Sequence, residues 1–216
     1  MYGEWKEFGI ELEFNSNLKQ KIIIDIFKKF DYPIIETLDD IFDFESYVCK
    51  PDSSCGFEIC SPILRSKDDL EQIHNIISSI NDYCQNNHIH PIDKNCGLHV
   101  HIDIEDYDLL SFHNLIRNVL DLEENYFPNF LHSNRLNNNF CKFLDRPVEK
   151  LLHCKSMKEF KTKLKQTCDK YYGTNLYSYL EKSTIEFRYL HNTLDFSEIS
   201  NWVQFLQKLV HKSHCE

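Results

Sequence analysis

The chain has 216 residues, of which 42% are hydrophobic and 27% charged, so we expect one folded domain over residues 1–216 and exclude wholesale disorder. Its 24 lysines and arginines are outnumbered by 34 acidic residues, and the net charge of −10 argues against a surface built for nucleic acid. No apolar run approaches the ~20 residues of a membrane span and the start carries no export signal, so we expect a cytoplasmic protein, in the host cytoplasm if a virus or phage encodes it.

The spacing of apolar residues predicts strands and helices along the chain. Alternation with a period of two predicts strands over residues 7–14, 41–48, 57–63, 97–103 and 184–189. Helical spacing predicts helices over residues 18–30, 68–83, 109–126, 156–171 and 196–211, whereas residues 127–147 are predicted to be irregular. Strands that return between helices favour an α+β fold, with an antiparallel sheet and helices packed on one face.

The nine cysteines do not match a disulfide framework or a zinc knuckle. Their number is odd, and no Cys-x-x-Cys pair occurs; Cys49, Cys55 and Cys60 are separated by five and then four residues. Disulfide frameworks belong to exported proteins, and zinc knuckles use tighter pairs. We therefore expect most of these residues to be small buried side chains.

Four of the predicted strands carry ionisable residues on one face. Neighbouring side chains of a strand point to opposite faces, so the apolar residues of each strand go one way and the charged residues go the other. In residues 9–14, for example, Glu11 and Glu13 oppose the apolar side chains. If the strands share a sheet, its polar face gathers seven ionisable residues: Glu11, Glu13, Glu58, His99, His101, Glu186 and Arg188.

This set of residues favours a metal or phosphate site over a solvated sheet face. An ordinary solvated face mixes lysine, threonine, serine and glutamine, and a single alternating strand would be interpreted in that way. The four strands instead offer acids, imidazoles and an arginine, with no lysine among them. Carboxylates on adjacent strands repel one another unless a cation lies between them, and their hard oxygens suit Mg²⁺ or Mn²⁺.

Five segments together resemble the amidoligase family, carboxylate–amine ligases related to glutamine synthetase and glutamate–cysteine ligase. They are GIELEF at residues 9–14, PDSSCGFEICSPI at 51–63, CGLHVHI at 96–102, SNRLNNNFCK at 133–142 and STIEFRYLHNTLD at 183–195. The segments occur in the family's order and span nearly the whole chain. The resemblance implies a glutamine synthetase-like catalytic sheet whose concave face binds ATP through two or three Mg²⁺ (or Mn²⁺) ions.

The resemblance also implies a role for each matching residue. The implied metal ligands are five residues, with Asp52 as a further acid of the second segment: Glu11, Glu13, Glu58, His99 and Glu186. The implied catalytic residues are Glu186, Arg135 and Arg188, of which the two arginines face the phosphates. His101 and Lys142 join these arginines in binding the nucleotide.

Two positions depart from the family's pattern. The usual Asp-Gly-Ser is Asp52-Ser53-Ser54 here, and the glycine common before Thr-Leu-Asp is Asn192. Asparagine tolerates a left-handed backbone better than most residues, so we expect the turn at Asn192 to persist.

Amide formation requires an activated carboxylate, because an acid and an amine at neutral pH form a salt. The predicted reaction transfers the γ-phosphoryl group of ATP to the substrate carboxylate, giving an acyl phosphate, while metals and arginines neutralise the charge. The implied partners are a carboxylate substrate and an amine donor, each a small molecule, a peptide or a protein tail; neither nucleic acid nor a membrane is expected. The residues specify neither the substrate pair nor an oligomeric state.

Two alternatives stay open at the level of sequence. A zinc-dependent hydrolase would use His99 and His101 to bind zinc and activate water, and it would need no nucleotide. A non-catalytic relative would keep the fold and bind a nucleotide or a peptide, although the complete set of acids argues against lost activity.

Overall fold

Seven strands form one sheet in the part of the chain that the structure describes. The computed structural model describes residues 5–38, 43, 45–136, 139–144 and 146–215. The strands are β1 (Phe8–Asn15), β2 (Ile34–Glu36), β3 (Tyr47–Asp52), β4 (Gly56–Cys60), β5 (Gly97–Asp103), β6 (Thr174–Asn175) and β7 (Thr184–His191). Their order in the sheet is β2-β3-β4-β1-β5-β7-β6.

Most of the strand pairs are antiparallel. β4 pairs in this way with both β1 and β3, and β6 pairs in the same way with β7, whereas β2 and β3 run parallel. The prediction of an α+β fold with an antiparallel sheet is therefore confirmed.

All five predicted helices are present. The α-helices are α1 (Gln20–Lys29), α2 (Lys67–Asn86), α3 (Leu109–Asn125), α4 (Phe127–Phe130), α5 (Arg146–Glu149), α6 (Met157–Thr167), α7 (Ser178–Lys182) and α8 (Phe196–Cys215). α2 begins with a capping box, in which the Ser66 hydroxyl accepts from the Asp69 amide and the Asp69 carboxylate accepts from the Ser66 amide. None of the helices in the described residues is both long and apolar enough to cross a membrane.

The sequence predictions missed the shortest elements. β2, β6 and α7 have two to five residues each, too few to show a periodic pattern. The prediction of an irregular stretch over 127–147 was wrong, because α4, a 3₁₀ turn at Ser133–Arg135 and the start of α5 lie there. Of the strand predicted over 41–48, only the part from Tyr47 onward belongs to β3; residues 41, 42 and 44 lie outside the described residues.

The chain comprises two compact units, each with its own buried side chains. The first unit consists of residues 7–100 and 191–202, and the second contains residues 101–190 and the rest of α8. The prediction of one domain over residues 1–216 stays a prediction.

The core of the first unit orients β1. Ile10, Leu12 and Phe14 are buried, and the Phe14 ring stacks on Phe57 of β4 with 5.5 Å between ring centroids. Burying side chains of this size contributes about 1.5–3 kcal/mol each. Because strand side chains alternate, this packing sends Glu11 and Glu13 to the opposite face of β1.

A buried carboxylate connects three segments of the second unit. The Tyr189 hydroxyl on β7 donates to Glu123 Oε1 of α3 at 2.5 Å, and the Leu144 amide donates to Glu123 Oε2 at 2.8 Å. Complete burial, reinforced by the Glu123 charge, raises the pKa of Tyr189 well above its ordinary value, so the phenol stays a donor. The network fixes the position of Tyr189 on β7, and Tyr189 directly follows Arg188.

Gly173 lies where a side chain would not fit, because an added Cβ would overlap the buried ring of Tyr189. We predict that Gly173→Ala lowers the free energy of unfolding by about 1–3 kcal/mol through overpacking. Urea denaturation measures this loss. Gly9→Ala is the matched control, since the nearest atom to an added Cβ there is Ser61 Oγ at 3.8 Å. Equal losses in the two variants would contradict the steric explanation.

Candidate functional site

The first unit brings together four carboxylates and one imidazole from four strands, which we term the acid–imidazole cluster: Glu11, Glu13, Asp52, Glu58 and His99. The antiparallel register of β1 and β4 places Glu13 directly opposite Glu58. Asp52 ends β3, and one oxygen from each of Glu13, Asp52 and Glu58 lies within 4.8 Å of the others. The structure therefore gathers all the predicted metal ligands of this unit.

Positive charge offsets the carboxylates of this cluster. Like charges directly opposite each other destabilise a strand pair. Lys50 of β3 pairs with Glu58 in the register, and its Nζ lies 3.1 Å from Glu58 Oε1. Burial, together with the neighbouring Glu11 charge, nevertheless raises the pKa of Glu58 to about 7, with Lys50 acting in the opposite direction. Glu58 therefore titrates around neutral pH, and a cation bound beside it would displace its proton.

His99 lies between two glutamates of β1. Its Nδ1 is 3.2 Å from Glu11 Oε2, and its Nε2 is 3.3 Å from Glu13 Oε1. The second oxygen of Glu13 accepts a hydrogen bond of 2.5 Å from the Gly97 amide at the start of β5. Both oxygens of Glu13 are thus positioned by β5.

The donor set fits a divalent cation. Mg²⁺ binds six oxygens at 2.0–2.1 Å, so opposite ligands of an octahedral site are about 4.2 Å apart. The oxygens of Glu13, Asp52 and Glu58 already lie within 4.8 Å of one another. Carboxylate oxygens with one imidazole suit Mg²⁺ or Mn²⁺ better than a soft metal. These residues could therefore hold such an ion after their oxygens move slightly closer together.

Asp52 closes a tight turn with the same carboxylate that it contributes to the cluster. Its Oδ1 accepts hydrogen bonds from the amides of Ser54 at 2.7 Å and Cys55 at 3.1 Å, and from the Ser54 hydroxyl. Burial opposes ionisation, but the hydrogen bonds from Ser54 and Cys55 outweigh it and keep the pKa of Asp52 below its ordinary value. The serine in place of the family's glycine therefore leaves the turn closed and its acid charged.

Asn192 supports the cluster through its side chain. Asn192 is not among the described residues with positive φ, so it does not use the left-handed backbone that asparagine tolerates, and the persistence of the turn stays a prediction. Its side-chain Nδ2 donates to the carbonyl of Glu13 at 2.5 Å, and its backbone amide donates to the carbonyl of Cys96 at 3.0 Å. The asparagine thus connects β1 with the start of β5.

We predict that Asn192→Ala lowers the free energy of unfolding by about 1–3 kcal/mol, because the Glu13 carbonyl would lose its buried donor. Only 1% of Asn192 is exposed, so water does not readily replace the amide. Thermal denaturation measures the effect, and Asn129→Ala, an exposed position in α4, is the control. An Asn192→Ala variant as stable as the wild type would show that Asn192 does not stabilise the fold through the Glu13 carbonyl.

The second unit holds another group, which we term the arginine–glutamate cluster: His101, Arg135, Asn175, Glu186 and Arg188. Glu186 lies at its centre on β7, with Oε1 at 2.5 Å from Arg188 Nη1 and Oε2 at 2.6 Å from Asn175 Nδ2. His101 Nε2 is 3.9 Å from the same Oε1. The predicted residues of this unit therefore meet, with the exception of Lys142.

The two guanidinium groups of this cluster are fixed by backbone oxygens. Arg135 is buried, and its Nη2 donates to the carbonyl of Arg188. Arg188 Nε donates to the carbonyl of Phe140 at 3.3 Å, and the Arg188 side chain remains 15% exposed. Two guanidinium groups against the single carboxylate of Glu186 leave a positive excess that suits a phosphate.

Lys142 makes other contacts. Its Nζ lies 2.7 Å from Asp169 Oδ2 and 4.8 Å from the centroid of the Tyr172 ring. The predicted role of Lys142 in nucleotide binding stays a prediction.

Three positioning residues were missed from the sequence. Lys50 was missed because β3 extends four residues beyond the strand predicted over 41–48. Asn175 lies in a strand of two residues, and its only local signal is that it follows Gly173 in a chain with five glycines. For Asn192 the sequence predicted only a backbone role. Each contacts a partner on another strand: Glu58 of β4, Glu186 of β7 and Glu13 of β1, respectively.

Two thiols lie beside the acid–imidazole cluster. Cys55 Sγ lies 3.4 Å from Asp52 Oδ1, and Cys96 directly precedes Gly97, whose amide donates to Glu13. Interaction with the Cys96 thiol, together with burial, raises the pKa of Cys55, and interaction with Cys55 lowers the pKa of Cys96 despite its burial. All nine cysteines of the chain are free thiols.

These observations define an α+β protein whose sheet carries a carboxylate-rich candidate metal site. The profile of the family described as "Putative amidoligase enzyme" matches residues 17–210. The chain belongs to this amidoligase family, which confirms the resemblance and supports a ligase role. Four of the five motif segments lie within the matched range, and residues 9–14 precede it. No curated protein matches the chain.

Proposed function

We propose that the chain is an ATP-dependent amidoligase that joins a carboxylate to an amine through an acyl phosphate. The observation that carries the proposal is the group of carboxylates at Glu13, Asp52 and Glu58, whose oxygens lie within 4.8 Å of one another on paired strands. Such a group favours a bound cation, and a reaction between a carboxylate anion and a triphosphate requires one. Membership of the amidoligase family supports the ligase chemistry.

In this proposal the acid–imidazole cluster would hold Mg²⁺ or Mn²⁺, and the metal would supply charge neutralisation for the triphosphate. Glu186 stays a predicted metal ligand. Arg135 and Arg188 bind oxygens of the transferred phosphoryl group. The substrate carboxylate oxygen bonds to the γ-phosphorus as the bond to the β-phosphate oxygen breaks, which releases ADP. The amine then attacks the acyl carbon, phosphate departs, and the amine proton passes to a base or to water.

Nucleotide binding should rearrange the contacts of Glu186. Asn175 holds Oε2, so this oxygen keeps its position, whereas Oε1 is shared with Arg188. A phosphate oxygen would compete for the Arg188 guanidinium, whose side chain is partly exposed. Arg188 would therefore exchange a carboxylate for a phosphate, and Oε1 of Glu186 would lose its contact with Arg188.

Isothermal titration with ATP, in the presence and absence of Mg²⁺, tests the proposal, followed by a screen of acid and amine pairs for ADP release. We expect ATP to bind only with the metal, and ADP release to require both substrates. Firm retention of zinc without any need for nucleotide would instead support a hydrolase. Nucleotide binding with no turnover for any pair would support a non-catalytic relative.

Metal binding by the acid–imidazole cluster can be measured separately. We predict that Glu13→Gln weakens Mn²⁺ binding by at least about tenfold, because the amide removes one charge and one oxygen donor from the cluster. The paramagnetic resonance of free Mn²⁺ reports the affinity. Glu71→Gln, an exposed position on α2 of the same unit, is the control and should bind Mn²⁺ like the wild type. Unchanged affinity in Glu13→Gln would contradict the assignment.

A further inference from the structure

A strongly basic segment of the second unit has no part in the proposed reaction. Residues 150–170 contain seven lysines and two acidic residues, which gives a local charge of +5 in a chain whose net charge is −10. Four of these lysines lie on α6, whose buried side chains are Phe160 and Leu164. Much of the positive charge is therefore concentrated on the exposed part of one helix.

Three of the α6 lysines form what we term the lysine stripe: Lys158, Lys161 and Lys165. Their spacing of three and then four residues places them on one face of the helix, and all three are exposed. Lys163 lies on another face and has its Nζ 2.8 Å from Glu159 Oε1. Within the described residues, no ion pair involves the lysine stripe. Its three charges are thus available to a ligand.

The lysine stripe borders a groove beside α7, in the same unit. The groove has a volume of about 600 Å³, which is within the range of ligand-binding pockets. α6 lines it with Lys161 and Lys165, and the segment around α7 lines it with Tyr177, Leu180 and Glu181. Tyr177 and Leu180 are half-buried and offer apolar surface to a ligand. The groove therefore combines positive charge on one helix with apolar surface at the other.

One lysine of the groove is held by an aromatic ring. Lys161 Nζ lies 4.8 Å from the centroid of the Tyr179 ring on α7. The Tyr179 ring itself packs against Phe112 of α3, with 4.7 Å between ring centroids, and only 9% of Tyr179 is exposed. Because a cation–π contact favours one position of the ammonium group, a ligand that binds Lys161 orders fewer rotamers.

We propose that the groove between α6 and α7 binds an acidic peptide segment of a partner protein. The carboxylates of the peptide pair with the lysine stripe, and its apolar side chains pack on Tyr177 and Leu180. The groove also contains groups that suit the peptide backbone, because the Glu181 carboxylate accepts from amides and Gln166 donates to carbonyls. The site lies outside the proposed ligase reaction and needs neither nucleotide nor metal.

The composition of the groove favours a peptide over a nucleic acid. A polynucleotide carries a phosphate at every residue, and some of these phosphates would meet the Glu181 carboxylate. The net charge of −10 also repels a long polyanion more strongly than a short acidic segment. Half-buried apolar surface between the charges is instead matched by a chain that mixes acidic and apolar side chains.

An extended peptide matches the dimensions of the groove. Lys161 and Lys165 are four residues apart on α6, about 6 Å along the helix axis. Alternate residues of an extended chain are about 6.6 Å apart and face the same side, and the residues between them face the opposite side. A peptide that alternates acidic and apolar residues therefore turns its acids to α6 and its apolar side chains to α7.

Fluorescence anisotropy of a hexapeptide of alternating glutamate and leucine, labelled with a neutral dye, tests the proposal on the full chain. We expect saturable binding at one site, which weakens as the salt concentration rises because exposed charge pairs are screened. The combined variant Lys158→Gln, Lys161→Gln and Lys165→Gln should bind at least about tenfold more weakly, since it removes three exposed charge pairs. A hexapeptide with serine in place of each leucine should also bind more weakly, by at least about threefold.

The matched control is the combined variant Lys21→Gln, Lys28→Gln and Lys29→Gln. These lysines are exposed on α1 of the first unit, so the variant has the same net charge as the lysine-stripe variant and should bind the hexapeptide like the wild type. Equal weakening in the two combined variants would overturn the proposal, because net charge alone would then attract the peptide. So would the absence of binding to the wild type, or tighter binding of a thymidine hexanucleotide than of the hexapeptide.

A second variant keeps the test independent of the fold. Lys158→Gln with Lys165→Gln leaves the contact between Lys161 and Tyr179 in place and should still weaken binding by about threefold or more. Circular dichroism verifies that each variant is folded, and a folded double variant with unchanged affinity would contradict the proposal. These measurements use neither ATP nor a metal, so a failed peptide site is distinguishable from a failed ligase proposal.

Discussion

Glu186→Ala is expected to lower metal-dependent ADP release by about 10³-fold while the chain stays folded. The substitution removes the carboxylate that orients Arg188, and in the proposed reaction it also removes a metal ligand. It leaves Arg188 Nη1 and Asn175 Nδ2 without the oxygens that they now contact. The measurement is ADP release with the acid and amine pair that gives the highest rate with wild-type protein.

Two further variants make the Glu186 result interpretable. Glu186→Gln retains the size of the side chain and one oxygen, so it should stay folded and still lose most of the turnover. Glu181→Ala, an exposed position on α7, is the control and should turn over like the wild type. Circular dichroism verifies that each variant is folded. A folded Glu186→Ala variant with unchanged turnover would be decisive against the role of this residue.

The metal-free protein is expected to lose about 3 kcal/mol of stability as the pH rises from about 4.5 to about 7, because of Glu58. Its pKa is about 7 in the folded chain, raised mainly by burial from an ordinary value of 4.5. Between these pH values the folded state binds more protons than the unfolded state, so stability falls with rising pH, at 1.36 kcal/mol per pKa unit. Below pH 4.5 the carboxyl is neutral in both states and this loss vanishes.

Glu58→Gln isolates this contribution. The variant should match the wild type near pH 4 and exceed it by about 3 kcal/mol at pH 8 in urea denaturation with a chelator present. It should also bind Mn²⁺ more weakly. The substitution therefore raises the free energy of unfolding at pH 8 and at the same time removes a proposed metal ligand. Glu71→Gln, which is exposed, should follow the wild type at every pH. A pH-independent difference between Glu58→Gln and the wild type would show that Glu58 does not titrate in this range.

The candidate site was predictable from sequence to the extent that it depends on strand faces. The apolar alternation in residues 9–14 placed Glu11 and Glu13 on one face, and β1 has that arrangement, with Ile10 buried. Arg135 and Lys142 were predicted to bind the nucleotide only because the chain resembles the family. That both clusters bind the same nucleotide stays a prediction.

By itself the sequence determined the α+β class, the five longer helices and the side of each strand that carries charge. It could do so because burial of an apolar stripe acts over a few neighbouring residues and leaves a period that can be counted. Only the tertiary structure decided that Lys50 pairs with Glu58, that Asn175 binds Glu186, and that Asn192 supports Glu13. These contacts join residues from different strands and loops, and their partners depend on pairing register and loop path, neither of which a local pattern contains.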